Sequence, residues 1–222
     1  MGKDKLRRFT LMKDFPHVLE SNYGEAFGMK GKWRTDFFKN EHPIVLELGC
    51  GKGEYTVGLA RHYRKCNFIG VDIKGSRMFI GARDASDSGL DNVGFLRTRI
   101  EWITNCFDVA EVDEIWLTFS DPQPKKPRKR LTSPEFLTRY KSILKPAGKI
   151  HVKTDSNLLF ESTEEVLKAL ELPVEYLTWD LYNQLPEHSD AKMNDILHIQ
   201  THYERLFTSR GSTIKYARFR LD

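Results

Sequence analysis

From Pro43 onward, short apolar runs alternate with stretches of helical periodicity, which restricts the chain to βα units laid around a mainly parallel sheet. Residues 44–48 form the first run and lead through glycines to a helix from about 54 to 62. Residues 67–72 are again apolar until a terminal carboxylate, and a helical stretch across 78–87 follows. Segments 92–96 and 113–119 read as buried strands. Ser133-Pro134 predicts a helix start, because serine can cap a free amide and proline is pre-set for the first turn. Phe136, Leu137, Tyr140, Ile143 and Leu144 then share one helical face, which Pro146 and Gly148 end. A strand over 149–153 comes next, then a helix that Ser156 can cap and on which Leu159, Val166 and Leu170 share a face. Strands over 174–179 and 213–221 bring the total to seven. Residues 183–198 are polar and irregular, as in an insertion or a mobile loop.

A chain of 222 residues has room for one sizeable core, so residues 41–222 are expected to form a single domain. Residues 1–40 carry Lys3, Lys5, Arg7 and Arg8 and then Phe15, Tyr23, Phe27 and Trp33. They read as a basic, aromatic arm open to partial disorder. The net charge of +4 is only mildly basic, so the position of the charge matters more than its sum. Cys50, Cys66 and Cys106 are odd in number and lack CxxC spacing, which fits a reducing compartment and offers no metal site. With no signal-like or membrane-length apolar run, a cytoplasmic protein without a membrane or an obligate protein partner is expected.

The sharpest local signal is Glu47-Leu-Gly49-Cys-Gly51-Lys-Gly53, between the first strand and its helix. Glycines there permit a sharp turn and a close approach of backbone to a ligand. Their spacing differs from the GxGxxG that cradles a pyrophosphate at a helix N-terminus. A strand ending in Glu47 suits a ligand with an amino or sulfonium cation better than a diphosphate. Asp72 closes the second strand, 23 residues beyond Gly49, where an open α/β sheet sets a carboxylate against ribose hydroxyls. This pairing resembles the class I S-adenosylmethionine methyltransferases.

After the strand EIWLTF come Ser120-Asp121-Pro122-Gln123-Pro124 and the basic hexad Lys125-Lys126-Pro127-Arg128-Lys129-Arg130, with five cations. A loop leaving the C-terminal end of a parallel strand faces the ligand crevice, so Asp121 is expected beside both ligands. The cations at its rim are suited to a phosphate backbone, with Lys126, Arg128, Lys129 and Arg130 as the RNA-backbone set. Taken together, LELGCGKG, FIGVDIK, LTFSDPQPKKPRKRL, HVKTDSNLLFE and Thr201-His-Tyr-Glu204 are similar to the bacterial tRNA (guanine-N7-)-methyltransferases from about residue 44 to 221. The resemblance implies a Rossmann-like α/β fold, with seven strands, the last antiparallel, and helices on both faces. It also implies methyl transfer from S-adenosylmethionine to N7 of the guanine at position 46 in the tRNA variable loop. Glu47, Asp72 and Asp121, with Gly49, Gly51 and Gly53, then belong to the cofactor site. Lys125, Asp155, Thr201, His202, Tyr203 and Glu204 belong to the RNA substrate site, with Asp121 and Asp155 catalytic. Two positions depart from the family. Arg99 stands where an acid or Asn usually meets the adenine, leaving backbone at Arg99 and Ile100, or Glu101, as substitutes, and Gln123 stands where Trp is usual.

Guanine N7 carries no proton, so its attack on a methyl group needs no general base; alignment alone can supply roughly 7–11 kcal/mol of the barrier. His151 and His202 therefore read as structural or RNA-contacting. Carboxylates suit the opposite guanine edge, whose N1–H and N2–H₂ are donors, and Asp155, Glu204 or Asp121 are the candidates for that grip. Three other readings are weaker. An amino-directed methyltransferase would need an aromatic residue where Gln123 and Pro124 stand, a non-catalytic RNA-binding module would not need the intact glycines and acids, and a nicotinamide enzyme would need different glycine spacing.

Overall fold

In the computed structural model, residues 3–22, 24–25, 27–184 and 191–222 are described; Tyr23 and residues 185–190 of the irregular segment lie outside them. The strands are β1 (Val18–Glu20), β2 (Ile44–Leu48), β3 (Asn67–Asp72), β4 (Val93–Arg97), β5 (Val112–Thr118), β6 (Leu144–Thr154), β7 (Val174–Thr178) and β8 (Lys215–Arg220). The helices are α1 (Lys3–Met12), α2 (Glu54–His62), α3 (Gly75–Asp87), α4 (Ile103–Cys106), α5 (Pro134–Ile143), α6 (Asn157–Ala169), α7 (Ala191–Leu197) and α8 (His202–Thr208). One sheet runs in the order β1-β4-β3-β2-β5-β6-β8-β7. All pairings are parallel except those of β8, which runs antiparallel to both β6 and β7. Because the chain proceeds one way from β2 and the other way from β5, a crevice opens at the C-terminal ends of this central pair.

Strand alternation divides the core between the two faces. Ile44, Leu46 and Leu48 of β2 join Ile115 and Leu117 of β5 under α4, α5 and α6. Val45 and Trp116 point the other way, under α1, α2, α3 and α7. The helices therefore cover both sides, as the sequence pattern requires.

The sheet has eight strands where the sequence suggests seven. The additional strand is β1, a three-residue edge piece whose Val18 lies opposite Phe95 of β4; so short a run has no readable period. The first forty residues also supply Met12, Trp33 and Phe38 to the buried core. A π-helical turn, Trp33–Phe38, carries the indole of Trp33 into a stack with Phe107 at 5.1 Å between centroids, a pair worth roughly 0.5–1.5 kcal/mol. Buried Glu111 fastens this segment by accepting from the amides of Gly31 (3.0 Å) and Trp33 (3.2 Å).

Helix starts divide by chemistry. Ser156 caps α6, its hydroxyl accepting from the Leu159 amide at 3.2 Å. Ser133 precedes α5 without capping it, because its hydroxyl donates to the Arg128 carbonyl at 3.1 Å and so ties the helix to the basic run. Leu170 lies past the end of α6 and is exposed rather than on its buried face. Part of the irregular segment is ordered as α7, which buries Ile196 and Leu197. Among the described residues no helix is long and apolar enough to cross a membrane.

Candidate active site

A cleft of about 600 Å³ occupies the crevice at the ends of β2, β3, β5 and β6. Its lining brings together Glu47, Gly49, Gly51, Asp72, Ile100 and Asp121 with Asp155, Thr201 and Tyr203, residues scattered over more than 150 positions of sequence. That volume is in the range of small-ligand sites.

Gly49 holds φ +82° and Gly53 φ +71°, left-handed values that a side chain would strain. A Cβ on Gly53 would also lie 2.6 Å from the Phe95 ring. Packing inside the protein therefore requires that glycine, which is not among the residues lining the cleft. Asp72 organises the turn from the next strand: one carboxylate oxygen accepts from the Gly51 amide at 2.9 Å and the other from the Lys74 amide at 2.8 Å.

Glu47 is 3% exposed and points from β2 toward the α2 face. It accepts hydrogen bonds from the Thr56 amide (2.8 Å), the Thr56 hydroxyl and, across the β2–β5 boundary, the Thr118 hydroxyl. Burial pushes its carboxyl up from 4.5 to about 7, these neutral donors oppose the shift, and nearby Asp72 adds to it. A cation in the cleft would favour the ionised form. With the folded-state pKa raised, Glu47 contributes stability that is fully present below about pH 4.5 and lost as pH rises through about 7. Ligand-free protein is therefore expected to lose on the order of 3 kcal/mol between those limits relative to Glu47→Gln. Urea unfolding from pH 4 to 8 measures this, and parallel pH profiles for the two proteins would refute it.

The loop after β5 is held under tension. Phe119 (φ 50°) and Gln123 (φ 45°) are non-glycine residues in left-handed conformations, each costing roughly 1–3 kcal/mol. Three contacts enforce them. The Phe119 amide donates to the Lys153 carbonyl at 2.8 Å, the Gln123 amide donates to the Asp121 carboxylate at 3.0 Å, and the Arg130 guanidinium donates to the Pro122 carbonyl at 2.9 Å. Arg130 is 8% exposed, so it leaves the RNA-backbone set and acts as a clasp for the loop. Lys125, Lys126, Arg128 and Lys129 are exposed, with Arg128 near Glu135 (3.3 Å) and Lys129 near Glu101 (3.1 Å). Lys125 stands on the turn between Gln123 and Lys129, both of which line the cleft.

Asp155, half-buried at the end of β6, lines the cleft; burial raises its carboxyl, partly offset by its own backbone amide and by Lys215. Thr201 caps α8 by accepting from the Glu204 amide at 3.1 Å, and Tyr203 and Phe207 of that helix face the cleft. Glu204 does not. It is fully buried, paired with Lys153 at 2.9 Å, and accepts from the Tyr182 hydroxyl, so its oxygens are engaged inside the protein. Glu204 is therefore not free to grip a guanine edge, a role the sequence left open among Asp155, Glu204 and Asp121. His202 is exposed, its amide donating to Glu54 at 2.9 Å. His151 is buried away from the cleft, stacked on Trp116 at 4.0 Å. Arg99 and Ile100 flank the cleft beyond Asp72, the Arg99 guanidinium lying 5.4 Å from the Trp102 ring.

Sequence reasoning missed Thr56, Thr118, Lys153 and Arg77, which hold or line the site. The only available signal was positional, a lysine between Val152 and Thr154 in the buried second half of its strand.

A family model described as "Putative methyltransferase" matches residues 41–217. The chain is 56% identical to a tRNA (guanine-N(7)-)-methyltransferase of Bacteroides thetaiotaomicron, over 100% of this chain and 87% of that protein. It is 47% identical to the protein of the same name from Christiangramia forsetii, over 99% of each. Among solved structures, the 16S rRNA methyltransferase KamB superposes with a TM-score of 0.62 at 15% identity, covering 91% of this chain and 97% of that one. The 16S rRNA (adenine(1408)-N(1))-methyltransferase of Catenulisporales acidiphilia, solved with cosubstrate SAM, gives 0.59 at 18% identity over 85% and 89%. At such identities the two structures speak for the fold.

Proposed function

Since the chain belongs to the tRNA (guanine-N(7)-)-methyltransferase family, we propose that it transfers the methyl group of S-adenosylmethionine to N7 of the guanine at position 46 in the tRNA variable loop. The observation that carries this reading is the convergence of Glu47, Asp72, Asp121 and Asp155 on one cleft whose rim bears the exposed cations Lys125, Lys126, Arg128 and Lys129.

The residues fit the donor. Buried Glu47, whose partners are the neutral threonines 56 and 118, suits a cationic ligand, and Asp72 beside the glycine turn suits ribose hydroxyls. Gly49 and Gly51 bring backbone near it, Gly53 keeps the turn in shape, and Ile100 stands at the adenine end. When bound, the cofactor supplies a methyl group on a positively charged sulfur. The remaining work is positioning by this chain's own side chains. Asp155 and Asp121 accept from guanine N1–H and N2–H₂, which turns N7 toward the donor. Thr201 and Tyr203 bound the acceptor side. No proton is held or moved at N7, because that nitrogen is an acceptor that carries none.

Incubating the protein with labelled S-adenosylmethionine and unmodified tRNA, followed by borohydride–aniline treatment, is expected to cleave the RNA at one nucleotide of the variable loop. Label appearing in an amino-methylated adenine or cytosine instead would overturn the assignment. The rim cations act on phosphate, so neutralising Lys126, Arg128 and Lys129 together is expected to lower the salt dependence of tRNA binding by about one unit of slope per lost contact. An unchanged slope would remove the basic run from the interface.

A further inference from the structure

α8 carries the acceptor-side residues, yet it is docked on the cofactor half of the molecule. Glu54, the first residue of α2 and directly after Gly53, accepts from the His202 amide at 2.9 Å through one carboxylate oxygen and faces the Arg205 guanidinium at 3.5 Å through the other. The Glu54 side chain is 28% exposed and lines the same cleft as Tyr203 and Phe207. A second, independent contact joins the same halves: the Arg77 guanidinium, from the first turns of α3, lies 5.8 Å from the Tyr203 ring centre. On its far side α8 is fixed by the buried Lys153–Glu204 pair. Tyr203 and Phe207, stacked at 6.3 Å, thus form an aromatic wall whose angle to the glycine turn is set by Glu54 and Arg77.

We infer that Glu54 is a positioning residue for the transfer: it registers the aromatic wall of α8 against the glycine turn, so that the acceptor base is held in line with the donor. This rests on the function proposed above. The physical ground is that a displacement of about 1 Å between reacting partners can cost on the order of 100-fold in rate, so a hydrogen bond between cofactor loop and acceptor helix is felt in turnover more than in affinity for the cofactor.

The test compares Glu54→Ala and Glu54→Gln in the full chain. Turnover and KM are measured on an unmodified tRNA transcript, with dissociation constants for S-adenosylhomocysteine and melting temperatures alongside. Glu54→Ala is expected to lower kcat about tenfold or more while cofactor-product affinity stays within about twofold. Glu54→Gln, whose amide oxygen can still accept from His202, is expected to recover most of the rate. The inference fails if Glu54→Ala turns over like the wild type, if its affinity for S-adenosylhomocysteine falls by as much as its rate, or if Glu54→Gln is as slow as Glu54→Ala. Wild-type protein that leaves the tRNA uncleaved after borohydride–aniline treatment would instead strike down the functional reading itself.

Discussion

Lys153→Met is expected to cost the folded protein about 3–5 kcal/mol, the largest stability loss of any substitution around the site. Lys153 is fully buried, and its ammonium donates to the Leu197 carbonyl (2.7 Å), the Ile199 carbonyl (3.2 Å) and Glu204 (2.9–3.0 Å). Burial pushes its pKa below the ordinary lysine value, while Glu204 opposes that shift. Removing the ammonium leaves a carboxylate with no charge partner in a region sealed from water, and two carbonyls lose their donor. The affected segment runs from α7 through α8, so the end of α7 and the far side of α8 both rest on this amine. Equilibrium urea unfolding measures the loss. Replacing both partners, as Lys153→Met with Glu204→Leu, should recover much of it, because a buried pair contributes less than its disruption costs. A single variant within about 1 kcal/mol of wild type would show the pair to be dispensable.

The second large effect falls on rate. Asp155→Asn is expected to lower kcat on tRNA by roughly 100-fold or more, with S-adenosylhomocysteine binding nearly unchanged. In the proposed grip on guanine, an amide of the same shape would turn one acceptor into a donor facing N1–H and N2–H₂, and hydrogen bonds to charged groups are worth about 1.5–3 kcal/mol each. The carboxyl of Asp155 is raised by burial, so wild-type activity should fall on acidification at a higher pH than an ordinary aspartate would give. That acid limb should be absent in the Asn variant. Single-turnover rates between pH 5 and 8 provide the measurement, and full activity in Asp155→Asn would take this residue out of the mechanism.

Some of this was legible in the chain because it depends on local rules. Apolar runs ending in Glu47 and Asp72, glycines on alternate positions and a stiff loop at Asp121 each reflect a backbone or charge requirement confined to a few residues. The parallel sheet then carries these strand ends to one crevice whatever their separation in sequence. Composition misled where burial and charge diverge. Arg130 reads like its neighbours in the basic run, yet it is the cation turned inward, clasping Pro122. Glu204 reads as a free carboxylate beside Thr201, but its charge is consumed by Lys153 from a strand 51 positions away.

The class of fold, the cofactor turn and the residues available for chemistry follow from amino-acid order alone, since periodicity, glycine and terminal acids act through their immediate surroundings. Which charges face the cleft and which are sealed beneath it is set by the folded arrangement. That choice depends on pairings between distant segments, Lys153 with Glu204, Glu54 with His202, Glu111 with Trp33, and the cost of burying a charge is met only when its partner arrives from elsewhere in the chain.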